Sequence, residues 1–242
     1  MYLAEKTLEA TQRMREPATP GTPDGHGHDP SLGHLGQFRL MDAATCPPAG
    51  FTMAQATTAV RRAVTVAVGI LNTAASRLES VEQKRVSGQP RTDEDTDTAR
   101  LFRFFFRHDP NRPIPWANNT PSGINVAHRL RAAAKALVKR GIHYHCTCPG
   151  APAGRRGQAA HQAIEIDLCN AFWTLDPRVR ADAETFRAGV ILHETLHLIF
   201  RDMNDAGAQR ANAHCYEAFA LRAAGHAADR TDVNRCRPDR VP

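Results

Sequence analysis

The stretch from Val190 to Arg201, V-I-L-H-E-T-L-H-L-I-F-R, constrains this chain more than any other. Val190, Ile191, Leu192, Leu196, Leu198, Ile199 and Phe200 surround the helix axis with apolar side chains, so a helix here must be buried on almost every side. Inside it, His193, Glu194 and His197 form the pattern H-E-x-x-H. Residues four apart on a helix lie one above the other, so both imidazoles can reach one ion at about 2.0–2.1 Å, the usual zinc–nitrogen distance. Glu194 sits one position round the helix, where it can take a proton from metal-activated water without binding the metal itself. Polar groups in apolar surroundings cost free energy unless they find partners, and a shared metal supplies one. A chance match to the pattern belongs on a mixed polar face, which this helix lacks.

Composition narrows the setting. At 242 residues with 42% hydrophobic content, the chain has material for one domain and a tail. It contains no run of about 18 apolar residues, so no membrane-spanning helix is expected. The net charge is +6, but only four of the 31 basic residues are lysines, and the arginines are scattered rather than striped. Nucleic acid is therefore not an expected partner. The six cysteines, Cys46, Cys146, Cys148, Cys169, Cys215 and Cys236, point to disulfides and an oxidising destination. The first residues, M-Y-L-A-E-K-T-L-E-A, lack the apolar core of a cleaved signal peptide. Secretion or export by a route without a cleaved signal reconciles these observations; a cytoplasmic location is the alternative.

Residues 1–42 read as a flexible Pro/Gly/His-rich tail, with His26, His28 and His34 as solvated side chains rather than a site. The folded domain is expected over 43–236, followed by a short tail, 237–242. A long helical period runs from Thr52 to Val86, then a polar, acidic connector from Ser87 to Thr98. L101-F-R-F-F-F106 is too aromatic to be exposed and must pack on the core. A further helix is bracketed by Ser122 and Gly141. Strands are expected over 142–148 and 163–169, joined by a loop, and an edge strand beside the histidine helix would suit an extended substrate. His143, His145, Cys146 and Cys148 have the composition of a second, structural zinc site; strand residues with a disulfide cysteine are the simpler reading. Asp182 is placed to cap the histidine helix. After a short turn, a helix over 211–224 carries His214, Glu217 and Leu221 on one face and stops at Gly225. The shortness of the turn makes the two helices antiparallel neighbours, with His214 and Glu217 toward the metal.

These features resemble the aspzincins, the deuterolysin and peptidyl-Lys metalloendopeptidase group. I166-D-L-C-N-A-F-W173 is similar to that family's I-x-L-C-x-x-F-F segment. N212-A-H-C-Y-E-A-F-A220 is similar to its Asn-Ala-Asp-x-x-Glu-x-Phe-Ala helix, and a cysteine pair near Cys148 and Cys169 falls in the family's order. The resemblance spans roughly residues 46–225. It implies a mainly helical α+β zincin-like fold, with a small β-sheet beside the active-site helix, a zinc ion and a protein or peptide substrate. The chain departs from the family in two places. The G-T-x-D-x-x-Y-G motif that supplies the third ligand is missing, with R201-D-M-N-D-A-G207 in its place, and the Asp of Asn-Ala-Asp has become His214. In lysine-specific members that Asp and the following Glu are implicated in holding the substrate lysine, so His214 departs from that specificity.

The expectation is a zinc metallo-endopeptidase with His193, His197 and His214 as ligands and Glu194 as general base. Asp205 and Asp202 are the alternative third ligands. Glu217 would orient a ligand or line the substrate pocket, and Tyr216 or Tyr144 would stand in for the missing tyrosine. The rival readings are a catalytically silent zinc-binding module and a hydrolase of small amides or esters. Nothing in the residues points to an inhibitor or immunity partner.

Overall fold

The computed structural model describes residues 39–41, 51–148, 150–152, 154–160, 164–174, 183–206 and 208–236. Its organising element is α1 (Met53–Ser87), whose buried positions recur at three- and four-residue spacing from Ala56 through Val60, Val64, Ala67, Leu71, Ala74 and Leu78 to Val81. The many alanines on that face let other helices approach closely. Helices α3 (Ser122–Lys139), α5 (Ala183–Ile199) and α6 (Ala213–Ala223) all pack against it.

Helix α2 (Asp93–Phe106) corrects the sequence expectation, because the acidic connector and the aromatic segment are one element. Its first turn is Asp93, Glu94 and Asp95, which favours a helix start through the macrodipole. Its last turn buries Phe102, Phe105 and Phe106. Phe106 meets Tyr216 and Phe219 of α6, at ring-centroid distances of 5.1 and 5.5 Å.

Asp95 fastens α2 to α1. Its carboxylate accepts from Thr92 N (3.0 Å) and Thr92 Oγ1 (2.9 Å) in a capping box, and from Ser80 Oγ of α1 (2.7 Å). Burial alone would raise its pKa, but the hydrogen bonds from Ser80 and Thr92 outweigh burial and hold it below the usual carboxylate range. The Asp95→Ala substitution is expected to cost about 2 kcal/mol, measured by urea unfolding. Because the folded pKa is depressed, the wild-type advantage should be complete above about pH 4 and shrink as the pH falls below it. An unchanged midpoint at neutral pH would refute the assignment.

The sheet is small and mixed. Strands β1 (Arg39–Met41), β4 (His143–His145) and β6 (Glu165–Leu168) run parallel, and β5 (Gly157–Ala160) pairs antiparallel with β6 in the order β1-β4-β6-β5. β1 falls inside the stretch that the sequence assigned to the flexible tail, so the fold begins before residue 43; the other residues of 1–42 lie outside the described residues. Likewise β5 forms partly from the stretch read as a loop. A second ribbon pairs β2 (Pro113–Ile114) with β3 (Thr120–Pro121). The short helix α4 (Asn170–Trp173) follows β6, and α7 (Arg230–Cys236), which the sequence did not announce, closes the described chain. The expected cap at Asp182 and the tail 237–242 lie outside the described residues.

Disulfides Cys148–Cys169 and Cys215–Cys236 tie the sheet to the start of α4 and α7 to α6. Cys146 is disulfide-bonded as well. These cysteines therefore offer no thiolates for a second zinc beside His143 and His145, in keeping with the simpler reading of strand residues with disulfide cysteines. Bridges of this kind go with an oxidising environment. Among the described residues, no helix is long and apolar enough to cross a membrane.

Candidate metal centre

Helix α5 is buried along almost its whole length, and His193 and Glu194 are each 7% exposed. One turn apart, His193 Nε2 and His197 Nε2 come within 3.1 Å of each other. Asp205 Oδ1 meets both, at 2.9 and 2.8 Å. The loop after α5 delivers Asp205 by backbone pairing: Asn204 N donates to Ala211 O and Asn204 O accepts from Ala213 N, both at 2.8 Å. Asn204 Oδ1 also accepts from Ala206 N (3.1 Å), tightening the turn around Asp205.

The other side of His193 is equally fixed. Its Nδ1 lies 3.0 Å from Glu217 Oε2, and a carboxylate there orients the ring so that Nε2 faces Asp205 and His197. Glu217 can come this close because Gly189 faces it: a Cβ on Gly189 would sit 2.8 Å from Glu217 Oε1. With Nδ1–H donating to Glu217, a neutral His193 presents a bare Nε2 lone pair. Two imidazole nitrogens and a carboxylate oxygen thus converge within about 3 Å, the arrangement of donors that a shared cation would join. The edges of a tetrahedral zinc site are close to this, about 3.3 Å for bonds near 2.0–2.1 Å. The two-nitrogen, one-oxygen donor set also suits zinc. The residues present therefore fit the metal that the sequence motif implies.

Electrostatics in this cluster are strongly coupled. Burial opposes charge on both His193 and Asp205, yet their mutual contact overrides it, raising the imidazole and lowering the carboxyl. Glu194 is different. Burial pushes its pKa up, and the nearby His193 and His197 counter that only in part. Glu217, also buried, is raised by burial and by the neighbouring Asp232.

Glu194 faces β5 across a cleft of about 650 Å³. Gly157 is the contact point, since a Cβ there would fall 2.8 Å from Glu194 Cγ. β5 is the outer strand of its sheet and has β6 on one side only. Among the described residues its other edge is unpaired, and an unpaired edge is able to pair with an extended chain.

Among the expected site residues, His193, Glu194, His197, Asp205, His214 and Glu217 all line this cleft. His214 stacks on His193, with ring centroids 4.5 Å apart, and groups with His193 and Asp205 as a candidate ligand set, but its Nε2 is 3.7 Å from Asp205 Oδ1 and carries Arg235 Nη1 at 3.3 Å. Asp232 Oδ1 lies 3.0 Å from His214 Nδ1, off the direction a hydrogen bond needs. Asp202 is elsewhere, bonded to Arg129 of α3 at 2.6 Å, which sets it aside as a ligand. Tyr216 is also no pocket residue; its hydroxyl donates to Arg210 O (3.2 Å), and burial pushes its phenol up to about 12. Tyr144, the middle residue of β4, is buried and does not line the cleft.

Sequence reasoning did not find Gly157, Arg156, Asp232 or Arg235. Arg156, just before β5, bonds Asp229 (2.5 Å) and Asp232 (2.7 Å), and so binds α7 to the sheet. Only the position of Cys236, paired to the cysteine after His214, hinted that α7 would reach the centre. No protein-family model matches the chain, and no curated protein matches it.

Proposed function

We propose that this protein is a zinc-dependent metallo-endopeptidase of zincin-like architecture, with the metal held by His193, His197 and Asp205. The observation that carries the reading is Asp205 Oδ1 placed 2.9 and 2.8 Å from the two Nε2 atoms of an H-E-x-x-H helix, with Glu194 beside them. Zinc bound there would act as a Lewis acid toward a peptide carbonyl and acidify the attacking water. The chain's own residues do the rest. The free edge of β5 lines up an extended peptide by main-chain hydrogen bonds, with the scissile bond over Glu194. Burial raises the Glu194 carboxyl above its usual range, which makes it a better base: Oε takes the proton from the attacking water and passes it to the leaving amine. Glu217 holds His193 Nδ1 and so fixes which nitrogen faces inward.

The free strand edge is what favours a peptide over a small amide or ester, because a small ligand makes no use of it. The test is digestion of a denatured protein mixture by the full chain, read by mass spectrometry. Internal cleavages should appear with zinc, vanish with a chelator and return on adding zinc back. Absence of metal-dependent cleavage, despite stoichiometric zinc, would leave the silent metal-binding module as the reading.

A further inference from the structure

Four carboxylates and three guanidiniums line the cleft, and they are paired unevenly. Each carboxylate there other than Glu194 has an internal partner: Asp205 has His193 and His197, Glu217 has His193, and Asp232 has Arg156. Arg235 is the opposite case. It is exposed at the cleft, and its contact is His214 Nε2 at 3.3 Å, a ring nitrogen rather than a carboxylate. No carboxylate lies within ion-pair distance of it among the described residues. Arg155, on the strand side of the same cleft, bonds Gln158 Oε1 at 2.8 Å and is the arginine whose charge reaches Glu194.

Arg235 is also firmly presented. It precedes Cys236, which is bridged to Cys215 next to His214, and its helix is bonded through Asp229 and Asp232 to Arg156. Only two short contacts, 3.3 Å to His214 and then 3.7 Å to Asp205, separate its guanidinium from the metal-binding cluster. A guanidinium is a permanent cation with a planar fork of donors that matches a carboxylate. From these observations, and resting on the peptidase reading above, we propose that Arg235 is a specificity-determining residue that binds a substrate carboxylate next to the scissile bond. Two sources share that chemistry: an Asp or Glu side chain, and the free carboxylate of a peptide's C-terminus.

The test uses full-length, zinc-loaded Glu194→Gln protein and a fluorescein-labelled, otherwise neutral peptide through which one Glu is walked, read by anisotropy. Each peptide is made with an amidated C-terminus, and the neutral parent also as the free acid. At one position Glu should tighten binding about tenfold or more over Gln, and Lys there should weaken it. Arg235→Ala should remove that gain while leaving the neutral peptide's affinity within about twofold, and Arg235→Lys should keep part of it. A gain found only with the free acid would support Arg235 but make the terminal carboxylate its ligand. Peptide binding with no charge preference, or a preference that survives Arg235→Ala, would overturn this inference and leave the peptidase reading intact. Failure of every peptide to bind would overturn both.

Discussion

The Glu194→Gln protein is expected to hold zinc as tightly as the wild type and to lose peptide turnover by about a thousandfold. The substitution keeps the side chain's size, so it preserves the contact with Gly157 that seats the residue against β5. It removes only the ability to take up and return a proton. A positioned general base or acid contributes roughly 10²–10⁴ in rate, and in the proposed mechanism one carboxyl serves both steps. Metal content by elemental mass spectrometry and initial rates on a peptide found by digestion would be measured side by side. Zinc retained with turnover lost is the expected pair of results. Near-wild-type turnover would exclude Glu194 as the proton carrier. Loss of zinc together with turnover would mean that Glu194 is a ligand, against the geometry of His193, His197 and Asp205.

How much of this was legible in the sequence differs by element. The centre of α5 was readable because its information is local: two histidines four apart on an apolar helix need no tertiary context to share a face. α1, α3 and α6 were readable for the same reason of period. α2 was missed at its start because D93-E-D-T-D97 looks like a solvated linker until Thr92 and Asp95 are recognised as reciprocal caps. β1 was missed because its three residues, R-L-M, become a strand only by pairing with β4. β5 was hidden in a Gly/Arg-rich stretch; its glycine is there for the close approach to Glu194, not for a turn. The polar network of Arg156, Asp229, Asp232 and His214 depends on contacts between residues far apart in the chain, and neither composition nor periodicity encodes that.

The third ligand shows the same limit in its sharpest form. Helical spacing puts His214 on the face toward α5, and the structure does bring it there. What spacing does not say is which atom arrives nearest. The backbone pairing of Asn204 with Ala211 and Ala213 pulls the short loop inward and sets Asp205 Oδ1 2.9 and 2.8 Å from the two Nε2 atoms, beside His214. His214 meanwhile stands between Asp232 and Arg235, and a permanent cation on its Nε2 is a poor neighbour for a bound metal ion.

A matched pair of variants separates the two candidates. Asp205→Ala is expected to weaken zinc by more than about a hundredfold, beyond the 10–100-fold typical of removing a group that only supports a ligand. His214→Ala should stay within that supporting range. The comparison is clean in the direction that matters, because the Asp205 side chain is 56% exposed and its loss removes little packing, so the metal-free variant should lose only what its contacts with His193 and His197 contribute. His214 is buried, and its removal leaves Asp232 facing a void with only Arg156 to balance it, so that variant should unfold earlier yet still titrate zinc. Competition with a chromophoric chelator gives the affinities, and thermal melts without metal give the packing cost. If His214→Ala loses zinc and Asp205→Ala keeps it, the centre is a three-histidine site. Arg235 must then move off Nε2 to let the metal in, and the carboxylate-binding role proposed for it would lose its geometric basis.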